Sequence, residues 1–225
     1  VIMLKGKAGQ STKQSLRMTN NSALDLGYQL EALDVIIRDG KRVFVPAGQL
    51  PDSIAATAVF SQKDVVVPAQ KSVSVDITLT TPPDTSVRAI AAIFRTKQLT
   101  NRRDNVGIAT SLGTLITFNL SDDASLTTTA LEVIPQGPNQ NLSVTQWLTN
   151  SGKEPVIPGG IVAWLDKDGK LIGKTTVEPR RLLPGERLEF RSEFPSELPA
   201  GRYRAVVALQ YGEKSVTSTK EVTIP

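Results

Sequence analysis

Few side chains in this sequence could do chemistry. Cysteine and histidine are both absent. That removes disulfides, thiolate nucleophiles, zinc sites built on either residue, haem ligation and a Ser-His-Asp triad. Asp166-Lys167-Asp168-Gly169 opens like a calcium loop, whose carboxylate oxygens would hold a hard cation. Its twelfth position, however, is Val177, where a bidentate Glu is required. Flanked by Trp164-Leu165 and Leu171-Ile172, the segment reads as a hairpin with Asp-Gly at its tip. Asp122 and Asp123 are adjacent, and neighbours on an extended strand point to opposite sides, so they are not poised to share a proton. No glycine-rich phosphate cradle runs from a strand into a helix. Ser and Thr are plentiful, but nothing in their spacing selects a Lys or carboxylate base. The expectation is a non-enzyme with no metal and no cofactor.

What remains is charge. The densest basic cluster is Arg95, Lys97, Arg102 and Arg103; Lys5, Lys7, Lys13 and Arg17 lie nearer the start. The net charge is +4. It arises in residues 1–122, with 14 Lys and Arg against 10 Asp and Glu, whereas 123–225 balance at 12 each. Such a rim could receive a carboxylate or an acidic polymer, or it could be a solvated loop that blocks edge pairing. The excess is too mild, and aromatics at 5% too few, for nucleic-acid binding. No apolar run approaches the ~20 residues of a membrane span. The sequence opens on Val1 and not on Met, which leads to the expectation that an N-terminal segment is removed.

The elements that must carry these residues are strands. In Lys71–Thr80, Val73, Val75, Ile77 and Leu79 alternate with Ser, Asp and Thr, the period of a half-buried strand. Tyr203–Tyr211 alternates likewise, as does 106–120, where Val106, Ile108, Leu112, Ile116, Phe118 and Leu120 share a parity interrupted by Thr110 and Thr114. Turn signals such as Asn20-Asn21-Ser22, Asp39-Gly40, Asn150-Ser151-Gly152 and Pro184-Gly185 separate the runs. No helical period lasts three turns. The fold class expected is all-β, two tandem immunoglobulin-like antiparallel β-sandwich domains.

The halves repeat. Asn21-Ser22 matches Asn150-Ser151 and Asp39-Gly40-Lys41 matches Asp168-Gly169-Lys170; Val67-Pro68 matches Leu183-Pro184 and Arg88-Ala89 matches Arg204-Ala205. The first two matches share one offset, and the last two share a shorter one. Domains are therefore expected at 1–122 and 123–225, joined through Ser121–Thr129, with an insertion in the first near 44–62. That insertion is either an extra edge strand or surface flap, or a binding loop. Tyr203 sits where a tyrosine corner would tie back to nearby backbone. Trp147 and Trp164 are expected in the core.

Three stretches then resemble a family. Val1-Ile2-Met3-Leu4, Ser15-Leu16-Arg17-Met18-Thr19-Asn20-Asn21-Ser22, and Val65-Val66-Val67-Pro68 with the alternating Ser72–Leu79 strand are similar to the N-terminal domain of PapD-like periplasmic pilus chaperones. Ser53-Ile54-Ala55-Ala56 through Phe60-Ser61 is similar to bacterial surface proteins with tandem immunoglobulin-like domains, including WxL-interacting proteins. The resemblance implies a periplasmic or bacterial cell-surface protein, chaperone-like, that holds pilus or surface protein subunits by strand pairing. A structural or adhesive adaptor binding surface proteins or wall polymer is the alternative. The family anchors a subunit's carboxylate with an Arg on its first strand and a Lys on its last. Here the Arg position falls before Val1, and no Lys or Arg occurs from Val106 to Leu120. The partner site is expected along the last strand of the first domain. Val106, Ile108 and Leu112 would supply alternating apolar side chains, and Arg95, Lys97, Arg102 and Arg103 would steer an acidic partner. Ile116, Phe118 and Leu120 are assigned to the domain's own core.

Overall fold

The computed structural model describes residues 2–96, 111–134, 142–194 and 198–224. It is all-β, with one 3-10 turn at Ala55–Thr57 and no α-helix among the described residues. The chain divides into two compact units, Val1–Ile36 with Arg42–Asp122, and Ile37–Lys41 with Asp123–Pro225.

The first unit contains β1 (Ile2–Lys5), β2 (Ser11–Thr19), all but the hairpin ends of β3 (Leu26–Arg38) and β4 (Lys41–Pro46), and β5 (Val59–Phe60), β6 (Asp64–Val67), β7 (Ser72–Thr80), β8 (Ala89–Thr96) and β9 (Ser111–Asn119). One sheet runs β1-β9-β8-β3-β4, with β6 also on β3; the facing sheet runs β2-β7-β5. Alternation does the sorting. Along β7, Val75, Ile77 and Leu79 are fully buried while Ser72, Ser74 and Asp76 face outward. Each such side chain contributes about 1.5–3 kcal/mol by leaving water. Ile116 and Phe118 of β9 join the same core, and Leu120 packs against it.

The second unit contains β10 (Leu126–Thr128), β11 (Glu132–Ile134), β12 (Leu142–Asn150), β13 (Gly159–Asp166), β14 (Leu171–Val177), β15 (Arg187–Phe194), β16 (Gly201–Tyr211) and β17 (Lys214–Ile224). One sheet joins β10, β11 and β15 to β12; the other runs β14-β13-β16-β17. Trp164 is fully buried at its centre, beside Phe194 at 5.7 Å between ring centroids. Tyr203 closes its corner, its hydroxyl donating to the Pro199 carbonyl (2.7 Å).

Two sequence expectations need correction. Trp147 is on the outer face of β12, 37% exposed, with the Arg187 guanidinium 4.3 Å above its ring. Its neighbours Gln146 and Leu148 take the core positions, because successive side chains on a strand face opposite ways. The internal match is also displaced by one residue. Asn20, not Asn21, is the counterpart of Asn150. Asn20 donates to the Leu24 and Val67 carbonyls (2.7 and 3.0 Å) and accepts from the Ser22 N–H (2.9 Å). Asn150 donates to those of Glu154 and Leu182 (2.8 and 3.0 Å) and accepts from the Gly152 N–H (3.0 Å). A one-residue slip would turn every core side chain outward.

The 44–62 insertion contributes a short edge strand, β5, and is tied into the core. Ile54 and Ala55 are buried in the core, and Val59–Phe60 pair with β7. Buried Asp34 on β3 holds it, accepting from Ser53 Oγ (2.5 Å) and the Ala55 N–H (2.9 Å).

Candidate functional site

β9 reaches its place through two neighbours of unequal length. β8 pairs with it from Ser111 to Thr117, antiparallel. β1 lies parallel on its other side and covers Ile116–Asn119 alone. Among the described residues, Ser111–Leu115 therefore has no strand on its outer edge. Across the sandwich β2 pairs with β7 and with no strand on its other side, again among the described residues. The mouth of the sandwich lies between these two edges.

A slot of about 190 Å³ opens there, lined by Arg17–Asn20 of the β2 end and Leu112–Thr114 of β9, with Tyr28, Val67 and Phe94 behind them. Leu112 lies opposite Phe94 in the register, on the core-facing side of its sheet. It is nonetheless 56% exposed, because nothing described covers that end of the core. Gly113 and Ser111 face the other way. A Cβ at Gly113 would come within 3.0 Å of the Ile93 Cδ1, so the strand stays slim there.

The edges differ in how they are guarded. Apart from the two- and three-residue strands β5 and β10, the terminal strands elsewhere carry charges that discourage pairing with another chain. β2 has Lys13 and Arg17, β4 has Lys41 and Arg42, and β14 has Lys174. β15 alternates Arg187, Glu189, Arg191 and Glu193, and β17 has Lys214, Lys220 and Glu221. Ser111-Leu112-Gly113-Thr114-Leu115 has no charge and no proline.

Of the residues expected at a partner site, Leu112 is on this edge and Arg95 is next to it, opposite Ser111. Arg95 is paired to Glu31, its Nε donating to Glu31 Oε1, so its charge is largely answered within the unit. Lys97, Arg102, Arg103, Val106 and Ile108 lie outside the described residues. The slot itself was not legible in the sequence, since its walls, Met18, Tyr28 and Phe94, come from three separate strands. Asp166, read as a turn former, accepts the Asp168 and Lys170 N–H groups on Oδ1 (2.9 Å each), which turns the hairpin.

No family model matches this chain. No curated protein matches it. Solved structures do, over nearly its whole length. It is similar to a chain of the chaperone–tip adhesin complex of CFA/I fimbriae, at TM-score 0.49 and 13% identity, covering 98% of this chain and 96% of that one. It is similar to the class 5 fimbriae chaperone CfaA at TM-score 0.48 and 13% identity, over 100% and 97%. The third is a chain of the CsuC–CsuE chaperone–tip adhesion subunit complex from archaic Csu pili of Acinetobacter baumannii. There the TM-score is 0.46 and the identity 10%, over 97% and 94%.

Proposed function

We propose that this chain is a non-enzymatic binding protein of the periplasm or bacterial cell surface that holds pilus or other surface protein subunits by strand pairing on β9. The observation that carries the proposal is the uncharged stretch Ser111–Leu115, which among the described residues has no strand on its outer edge, beside the exposed Leu112. Backbone N–H and C=O groups on such an edge supply affinity, while alternate side chains meet pockets that supply selectivity. The exposure of Leu112 on this edge supports its assignment as a side chain that meets the partner, and Val106 and Ile108 continue its parity in sequence. Lys97, Arg102 and Arg103 are the proposed steering charges, with Arg95 a lesser one because Glu31 answers it. No helix among the described residues is long and apolar enough to cross a membrane.

The experiment is co-purification from the native host, with the captured proteins identified by mass spectrometry and hydrogen exchange read on the complex. Pilus or surface subunits should be captured and should slow exchange at Ser111–Leu115. An Ile108→Asn/Leu112→Asn chain that folds should lose them. Retention of the same subunits by that folded double variant would overturn the proposal. The upstream reading frame tests the compartment: a cleavable signal sequence supports export, and an initiator methionine directly before Val1 opposes it.

A further inference from the structure

One sheet face of the second unit is complementary to itself. We propose that two copies of this chain associate through the outer face of β14-β13-β16-β17, with strands running parallel and β14 of each copy over β17 of the other. This goes beyond strand pairing on β9 and does not depend on it.

Strand parity decides what the face displays. Val162, Trp164, Ala205 and Val207 turn into the core, so their neighbours along β13 and β16 turn outward. The register then sets three levels across the four strands. Thr176, Ile161, Ala208 and Thr217 form the first, and Lys174, Ala163, Val206 and Thr219 the second. Leu171, Leu165, Arg204 and Glu221 form the third. The centre is therefore apolar, with charge only at its borders, and Ile161 is 38% and Leu171 52% exposed. Two other outer faces differ. β2 and β7 display Lys13, Arg17 and Asp76 among serines, and β15 alternates Arg187, Glu189, Arg191 and Glu193. The water-facing side of an antiparallel sheet is commonly polar in this way, and a contiguous apolar patch marks an interaction surface.

A closed pair of copies has a twofold axis, which here lies in the face and runs along the strands or across them. Along the strands, each level meets itself with the strand order reversed. Ile161 then lies over Ala208 of the second copy, and Val206 over its Ala163. Each contact sets a larger side chain against a small one, so the two layers can interdigitate. Leu165 meets the aliphatic stem of Arg204, whose guanidinium is already held by Glu221 (3.4 Å). An axis across the strands would instead set Val206 on Val206, Ala163 on Ala163 and Lys174 on Lys174. That stacks bulk on bulk and like charge on like charge.

The borders favour the same arrangement. Lys174 has no acidic partner among the described residues, and it lies on the border opposite Glu221. The axis along the strands brings these borders together, with Lys174 one level from Glu221 of the second copy. Long side chains span such a diagonal, and the symmetry makes the pair twice. Any other partner would have to reproduce both the order of large and small side chains and the opposed charges. Three levels on four strands cover roughly 400 Å² per copy, about half of a standard interface, so the dimer is weak.

Sedimentation equilibrium of the full chain, from micromolar to millimolar concentration, is the test. A monomer–dimer equilibrium is expected within that range. Ala208→Arg, which sets a long charged side chain over Ile161 of the other copy, should weaken it at least tenfold without lowering the melting temperature. Should Ala208→Arg disturb the fold, Ile161→Glu at an already exposed position replaces it with the same expectation. Lys174→Glu should weaken the dimer about threefold or more, and Lys174→Glu/Glu221→Lys should restore it. A chain that stays monomeric to millimolar concentration overturns the inference. So do dimers that the folded Ala208→Arg or Ile161→Glu chain retains, which would assign association to another surface, such as a strand edge. Failure of the double exchange to recover what Lys174→Glu loses overturns it as well, because β14 would then not lie over β17.

Discussion

At one position of the shared fold the two units make opposite choices. Trp164, opposite Ala205, fills the second core with a buried indole. Asp34, opposite Ile90, occupies the same place in the first and buries a carboxyl instead. The indole packs against what its own sheets provide. The carboxyl has to be satisfied, and the 44–62 insertion satisfies it through Ser53 and Ala55. Ser53 Oγ in turn accepts the Gly48 and Ala56 N–H groups (3.1 and 3.0 Å), so Asp34 and Ser53 together tie down the middle of the insertion. The first unit thus replaces part of an apolar core with a polar anchor for extra chain, and among the described residues nothing covers its Leu112 end. The second fills the core and closes the mouth.

The largest effect is expected at that pair. Trp164→Ala should destabilise the second unit by about 3–5 kcal/mol, the range for deleting a buried aromatic. Asp34→Ala strands the Ser53 hydroxyl and the Ala55 N–H and should cost the first unit about 2–4 kcal/mol. Denaturant melts followed by hydrogen exchange, which separates the units, check both. In Asp34→Ala, exchange at Ser53–Thr57 should quicken more than at β7. Uniform quickening would mean that the insertion is not held by Asp34.

The buried asparagines come next and test the likeness instead of the difference. Asn150→Ala removes two donated bonds and one accepted bond from a buried turn; Asn20→Ala removes their counterparts and also the longer contact to the Pro68 carbonyl (3.3 Å) and the Ser22 hydroxyl bond (2.7 Å). Losses of about 1–3 kcal/mol are expected, alike within about 1 kcal/mol. A cost at Asn150 with none at Asn20 would break the equivalence.

These pairs also mark what could be read in the sequence. Period-two alternation found β7, β16 and the core half of β9, because those strands face solvent on one side and oil on the other. The repeat was visible in its turn residues, but identical dipeptides do not carry register. Asn21 repeats the letters of Asn150-Ser151, whereas Asn20 repeats its hydrogen bonds. Trp147, expected in the core, is sent outward by strand parity with Leu148, and Gln146 in a core position masks that parity. The slot was illegible for a different reason. It depends on which sheet the strand before β2 joins: β1 joins β9, whereas β11, ahead of β12, joins β12. That choice is made by long-range packing, not by the local pattern.

The open and closed mouths predict a smaller contrast. Leu112→Ala should change stability by no more than about 0.5 kcal/mol, as expected for a side chain mostly in water. Val216→Ala, its counterpart packed on a core, should cost about 1 kcal/mol. Equal costs would mean that the first mouth is as well covered as the second.

The smallest effect concerns acid and belongs to the insertion alone. Asp52 accepts the Ser86 N–H and hydroxyl (2.6 Å each), and these bonds, the hydroxyl foremost, hold its carboxyl below the ordinary aspartate value. A carboxyl with a lowered folded pKa favours the folded state fully above its unfolded value, about 3.9. That contribution fades as pH falls through the lower folded value, where protonation removes the acceptor. Because the group is partly in water, the gain should be under about 1 kcal/mol. The first unit should therefore lose stability slightly more steeply than a Ser86→Ala chain does as pH falls below about 4. The second unit, which has no insertion of this kind, should titrate identically in both chains. Melts of the two chains at pH 7, 4 and 2, with exchange read unit by unit, make the comparison. Identical pH slopes for the first unit would show that the Asp52–Ser86 bonds contribute nothing to holding the insertion.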